Sequence, residues 1–108
     1  MAARERSTQT VVIANAGTDS EAINAKGMVS GSFALPAAFT GTAVTFKGSL
    51  DGSTWYALYT SADAAVGVGT VAVSRAYPIP AQCFDWPYIQ IVGSSQAAAR
   101  SIVVSMNG

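Results

Sequence analysis

Apolar and polar residues alternate with a period of two over several short stretches, and no long stretch keeps a helical period. Residues 8–14, with Val11, Val12 and Ile13, read as a first strand that Asn15-Ala16-Gly17 ends. In residues 27–35 the alternation puts Val29, Phe33 and Leu35 on a core face, and Gly31 marks a place where another backbone approaches closely. Pro36 stops that strand. Residues 70–75 alternate with Val71 and Val73 inward. Residues 88–92 set Ile89 and Ile91 against Tyr88 and Gln90, and residues 100–106 set Ile102, Val104 and Met106 against Ser101, Val103 and Ser105. Between these strands, residues 18–26 suit a loop, or else one helical turn capped by Asp19 or Ser20. Residues 36–41 form a connection in which Phe39 plugs one end of the core, and residues 61–69, rich in Ala and Gly, form the most mobile loop. Residues 77–87 hold three of the four prolines. Proline lacks the amide hydrogen that a central ladder needs, so this segment belongs at an edge or crosses between sheets.

The strongest local signal is the hairpin of residues 44–58, VTFKGSLDGSTWYAL. Val44, Phe46 and Gly48 alternate with Thr45, Lys47 and Ser49, and Asp51-Gly52-Ser53 supplies the turn chemistry. A loop with an even number of residues places Trp55, Ala57 and Tyr59 on the face of Phe46, whereas an odd loop places Leu58 there. The even loop is the expectation, because an indole and a phenol each remove on the order of 150 to 250 Å² from water. Lys47 then faces solvent or a partner.

Seven or eight short strands separated by turns predict an all-β fold: an antiparallel β-sandwich, jelly-roll-like, in one domain over residues 8–108 behind a flexible arm of residues 1–7. The 108-residue length fits one core. Composition agrees, since Val, Ile and Thr far outnumber the three Leu, and 20 of the apolar residues are Ala. Charged residues are 11% of the chain, six of each sign, so the surface must be largely Ala, Ser, Thr and Gly. Such a surface does not suit nucleic acid or an anionic membrane, which recruit clustered Lys and Arg. It suits docking onto another protein, or mere solubility through hydroxyls. The arm, with Arg4, Glu5 and Arg6, is a further place where contacts with a partner would order the chain. No apolar run is long enough for a signal peptide or for the ~20 residues that span a bilayer, so cytoplasmic synthesis and assembly are expected.

Candidate chemistry is sparse. The chain has no His, which removes Ser–His and Cys–His pairs and the commonest metal ligand. Asp51, Asp63 and Asp85 stand far apart in sequence and suggest no carboxylate dyad. Asp51-Gly52-Ser53 resembles half a calcium loop but lacks the repeated oxygen ligands. Gly67-Val68-Gly69 lacks the third glycine and the Lys of a phosphate cradle. No enzyme, cofactor or metal is expected. Cys83 has no partner for an intrachain disulfide and reads as a small buried hydrophobe. Trp55, Tyr56, Tyr59, Trp86 and Tyr88 offer either a sugar-stacking platform or core packing and interface anchors, the second being the commoner fate. Trp86, between Asp85 and Pro87, is the expected exposed anchor, with Phe84 beside it.

The run Gly48-Ser49-Leu50-Asp51-Gly52-Ser53-Thr54-Trp55, followed by Phe84-Asp85-Trp86-Pro87-Tyr88-Ile89-Gln90-Ile91, resembles small β-sandwich structural proteins of tailed bacteriophages, in which an S-x-D-G-x-x-W turn precedes a late Y-I-x-I strand. Within that group the similarity is greatest to head decoration, or cement, proteins, and it extends from about residue 42 to the C-terminus. The resemblance implies a virion structural protein on the outer capsid surface. Its implied partners are the major capsid protein and further copies of itself, as a dimer or trimer. Arg4, Glu5, Arg6, Phe84 and Trp86 are the candidate contact residues. The turn motif also occurs in carbohydrate-binding sandwiches and in tail-fibre and baseplate modules, which are the alternatives.

Overall fold

The computed structural model describes residues 6–108 and is an all-β sandwich of two antiparallel sheets. Nine strand segments lie among the described residues: β1 (Arg6–Ile13), β2 (Ile23–Asn24), β3 (Ser30–Ala34), β4 (Val44–Ser49), β5 (Tyr56–Ala57), β6 (Gly67–Val68), β7 (Ala76–Pro78), β8 (Tyr88–Val92) and β9 (Arg100–Asn107). A short 3₁₀ turn, Ala81–Asp85, precedes β8. The pairings are nested: β1 with β9, β2 with β8, β3 with β7, and β4 with both β5 and β6. Two further ladders, β3 with β9 and β4 with β8, join the nested pairs into sheets of order β1-β9-β3-β7 and β2-β8-β4-β5, with β6 also on β4.

Period-two alternation sends one set of side chains from each sheet inward. Ile13, Ile102, Val104 and Met106 from one sheet meet Ile23, Ile89 and Ile91 from the other with no residual exposure. Phe33 and Phe46 lock the sheets together edge to face, with ring centroids 5.8 Å apart and planes at 71°. Each fully buried aliphatic or phenyl side chain stabilises the fold by about 1.5–3 kcal/mol. Gly31 is where β9 comes close, since a Cβ there would stand 2.7 Å from the Ser105 carbonyl oxygen. Phe39 is buried against Gly93.

One side of the sandwich is closed by polar groups. The Gln9 side-chain amide donates to the Asn24 carbonyl at 2.8 Å and its oxygen accepts the Asn24 N–H at 3.1 Å, tying β1 to β2. Ser20, almost wholly buried, donates its N–H to the Ile91 carbonyl, accepts the Ile91 N–H on its hydroxyl and donates that hydroxyl to the Glu21 carbonyl, so its N–H and side chain are satisfied. Buried Gln96 pins residues 39–41 in the same manner, bonding both the N–H and the carbonyl of Thr40.

The outward side chains of the four-stranded sheet form two rows that cross all four strands: Thr10, Val103, Ala34 and Ala76, then Thr8, Ser105, Ser32 and Pro78. The outer face of the five-stranded sheet is different. It carries the 2.7 Å ion pair of Lys47 with Asp19 and the Lys26 ammonium 5.0 Å over the Tyr88 ring. Lys47 thus has a partner within its own chain.

Several expectations are corrected. The loop expected over residues 18–26 contains β2, and Asp19 and Ser20 each bridge to a strand, because the backbone there must pair with both sheets where it crosses between them. Val29 is 67% exposed: it follows the turn that Ala25 and Met28 close and precedes β3, with its N–H on the Asn107 carbonyl, so the alternation does not reach it. Residues 70–75 are turns, not a strand. Val71 is buried but Val73 is exposed, and the strand comes later, as β7, with Pro78 tolerated on the sheet edge. Residues 61–69 include β6 and the buried Val66. β1 starts at Arg6, so Arg6 and Ser7 lie in the ladder opposite Asn107 and Met106, while Arg4 and Glu5 fall outside the described residues.

Candidate functional site

The hairpin between β4 and β5 has an odd loop, contrary to the even one expected. Gly48 pairs with Tyr56 and Lys47 with Ala57, and the Leu58 N–H donates to the Phe46 carbonyl. Leu58 is therefore the residue opposite Phe46, with 4% exposure, whereas Tyr56 and Tyr59 are more than half exposed. The reason lies in the turn. Asp51 Oδ1 accepts the N–H groups of Ser53 and Thr54 at 2.8 and 2.9 Å and the Ser49 hydroxyl at 3.0 Å, and Ser49 Oγ accepts the Gly52 N–H at 2.9 Å. Gly52 takes φ +80°, which suits glycine. This side-chain cap needs three residues, Asp51 to Ser53, in the bend, and the extra residue moves every following side chain to the other face. The four local hydrogen bonds of this turn, and not the area that two aromatics would bury, set the register. The N–H groups of Thr54 and Ser53, then the Ser49 hydroxyl, hold the Asp51 carboxyl below its usual range.

Trp86 follows the 3₁₀ turn and lies on the inner side of β4. Gly48 makes room for it: a Cβ there would stand 2.5 Å from Trp86 Cγ. The indole is half-buried against the core and stacks at a tilt on Tyr56, with centroids 6.0 Å apart and planes at 36°. The Gln82 amide donates to the Tyr59 carbonyl at 2.8 Å, fastening the 3₁₀ turn to the strand that carries these tyrosines. Cys83, at the centre of that turn, has no exposure, and desolvation pushes its thiol up to about 12.

Three large apolar side chains stand exposed along this hairpin: Leu50 (70%) at its tip, Tyr56 (55%) beside the half-buried Trp86, and Tyr59 (51%) beyond β5. Of the sequence candidates, Trp86 lies beside Tyr56, and both Phe84 and Trp86 pack partly into the core. The freely exposed side chains are Leu50, Tyr56 and Tyr59, of which the even-loop register buried Tyr59. An odd count through Asp51-Gly52-Ser53 turns Tyr59 outward, whereas Tyr56, on the inner side through its pair with Gly48, is exposed at the sheet edge. Arg6 is elsewhere, on the outer face of the four-stranded sheet.

The five aromatics weighed as a sugar platform do not share one face. Tyr56 follows the inner face of β4 through its pair with Gly48, whereas Tyr88, paired with Ser49, lies on the outer face beneath Lys26. Among the described residues no pocket opens, no three His, Cys, Asp or Glu side chains gather, and no helix is long and apolar enough to cross a membrane. Comparison of the chain with protein-family models, with curated proteins and with solved structures returns no match.

Proposed function

We propose that this chain is a non-enzymatic structural protein of a phage virion, a decoration protein that binds the outer surface of the assembled head and bridges capsid subunits. The observation that carries the reading is the exposed hairpin: Leu50, Tyr56 and Tyr59 stand exposed along a segment held by the Asp51 cap and the Trp86 wedge. Exposed Tyr side chains on a preorganised support are among the anchors that protein interfaces use, because little side-chain freedom is lost on docking, and Leu50 adds apolar area beside them. The S-x-D-G-x-x-W turn that resembles phage sandwich proteins builds the tip of this hairpin. The nested pairing of first strand with last is also the connectivity that a jelly roll requires, an architecture found in viral capsid domains. The mechanism is mechanical. A protein that binds the closed shell and not its separated subunits stabilises the shell by linkage, and many copies multiply a modest contact.

The test is the heating of bare heads of the encoding phage with and without the protein. Heads that open at a higher temperature, by an amount that saturates with added protein, support the reading. Heads that open at the same temperature at every ratio overturn it and move the assignment to the tail.

A further inference from the structure

Asp51 is the one Asp in the chain that glycine follows. In an Asp-Gly pair the next backbone nitrogen attacks the side-chain carboxyl most readily, since glycine has no side chain to crowd the approach. Both reacting groups are engaged here. The Gly52 N–H is donated to Ser49 Oγ at 2.9 Å, and Asp51 Oδ1 is turned forward over residues 53–54, accepting the Ser53 and Thr54 N–H groups at 2.8 and 2.9 Å. The Ser49 hydroxyl donates to the same oxygen at 3.0 Å, so one buried serine holds nitrogen and carboxyl at once. We propose that Asp51-Gly52 is a latent isomerisation site, closed in the folded chain by Ser49, at which one isoaspartate disables the hairpin.

The chemistry needs no partner. In the neutral carboxyl, Asp51 Cγ is the electrophile. The Gly52 nitrogen bonds to it, and the carboxyl hydroxyl leaves with the amide hydrogen as water, giving a succinimide. Water then adds at the Asp51 backbone carbonyl carbon and breaks its bond to the Gly52 nitrogen, which takes back a hydrogen. The composition is unchanged, but the main chain now runs through Cβ and Cγ and is one atom longer. The first step needs the nitrogen in line with Cγ and a protonated carboxyl. Ser49 denies the alignment, and the three hydrogen bonds to Oδ1 keep the carboxyl ionised. Reaction is left to the moments when the turn opens. The product cannot close as before, because its free carboxylate hangs from the Asp51 α-carbon and the longer loop loses the spacing that puts Leu58 inward. None of this depends on what the hairpin binds.

The test is isomerisation of the purified full chain over several weeks at mildly acidic pH, native and in guanidinium chloride. Trypsin releases residues 48–75; chromatography separates the isoaspartyl form and electron-transfer fragmentation places it at residue 51, with Asp63, which Ala64 follows, as the reference. Isoaspartate at residue 51 should accumulate at least about tenfold more slowly in the native wild type than in denaturant. Ser49→Ala, shown to be folded by circular dichroism, should fall between the two. The isomerised chain, purified and refolded, should unfold at a lower temperature than the unmodified one. A native wild type that isomerises as fast as the denatured chain, or a folded Ser49→Ala as slow as the wild type, overturns the proposal, and so does an unaltered midpoint in the isomerised chain. If Ser49→Ala does not fold, the two wild-type rates decide.

Discussion

Replacing Gly48 by alanine puts a methyl group where the indole of Trp86 already lies, 2.5 Å from Cγ and 2.6 Å from Cδ2. The backbone of β4 is held by ladders on both sides, so it is the indole that must leave. A half-buried Trp keeps roughly 100 Å² from water, worth about 2.5 kcal/mol if it swings free. Alanine returns about 0.5–1 kcal/mol, because glycine inside a strand is entropically unfavourable. The net loss is about 1.5–2 kcal/mol, or roughly 10 °C in Tm for a domain of this size. Thermal unfolding followed by circular dichroism measures the loss, and emission in a Trp55→Phe background, where Trp86 is the only indole, should shift to the red. In a Trp86→Ala background the same methyl has room, and Gly48→Ala should be neutral or slightly stabilising. An equal cost in both backgrounds, or a wild-type Tm with unshifted emission, would refute the wedge.

Three further outcomes follow from the geometry. Leu58→Ala should cost about 2–5 kcal/mol in urea unfolding and Tyr59→Ala under about 1 kcal/mol; the reverse order would restore the even loop. Because Asp51 titrates below its unfolded value of 3.8, its stabilisation is complete above that pH and is lost as pH falls below it. Asp19 acts with the same sign, since burial raises its carboxyl but the bonds from Lys47 and Thr18 outweigh that. The urea midpoint should therefore drop more steeply between pH 4 and pH 2 in the wild type than in Asp51→Asn, and parallel curves would contradict the cap. Buried Cys83 should resist a water-soluble thiol reagent at pH 8 in the native protein and react at once in denaturant, whereas fast native labelling would place it at the surface.

The sequence pattern predicts the parts of this fold in which burial alone sets the alternation. Phe33, Phe46, Ile89, Ile91, Ile102, Val104 and Met106 all fall on the face that period two assigns to them. It does not predict β2, since two residues give no period, and Ile23 stands among polar neighbours whose partners are on two different sheets. Val29 and Val73 have strand-like surroundings, but Val29 stands between the Ala25–Met28 turn and β3 and Val73 sits in a turn, where hydrogen bonding across the chain decides the path. At the candidate site the motif was legible and its register was not. The Asp51 cap is a local bond pattern that adds one residue, and that one residue exchanges Leu58 with its neighbours and turns Tyr56 to the edge of Trp86. Trp86 looked like an exposed anchor because nothing in its own neighbourhood reveals the room that Gly48, far back in sequence, provides.

The most direct measurement of the docking account is co-sedimentation of bare phage heads with the wild type and with Leu50→Lys, a change at an exposed tip that leaves the core untouched. The account predicts wild-type binding that saturates at a fixed ratio to the major capsid subunit, with affinity falling at least tenfold for Leu50→Lys. Equal binding of the two proteins would contradict the exposed hairpin as the docking surface, and no binding by either would contradict the decoration reading itself.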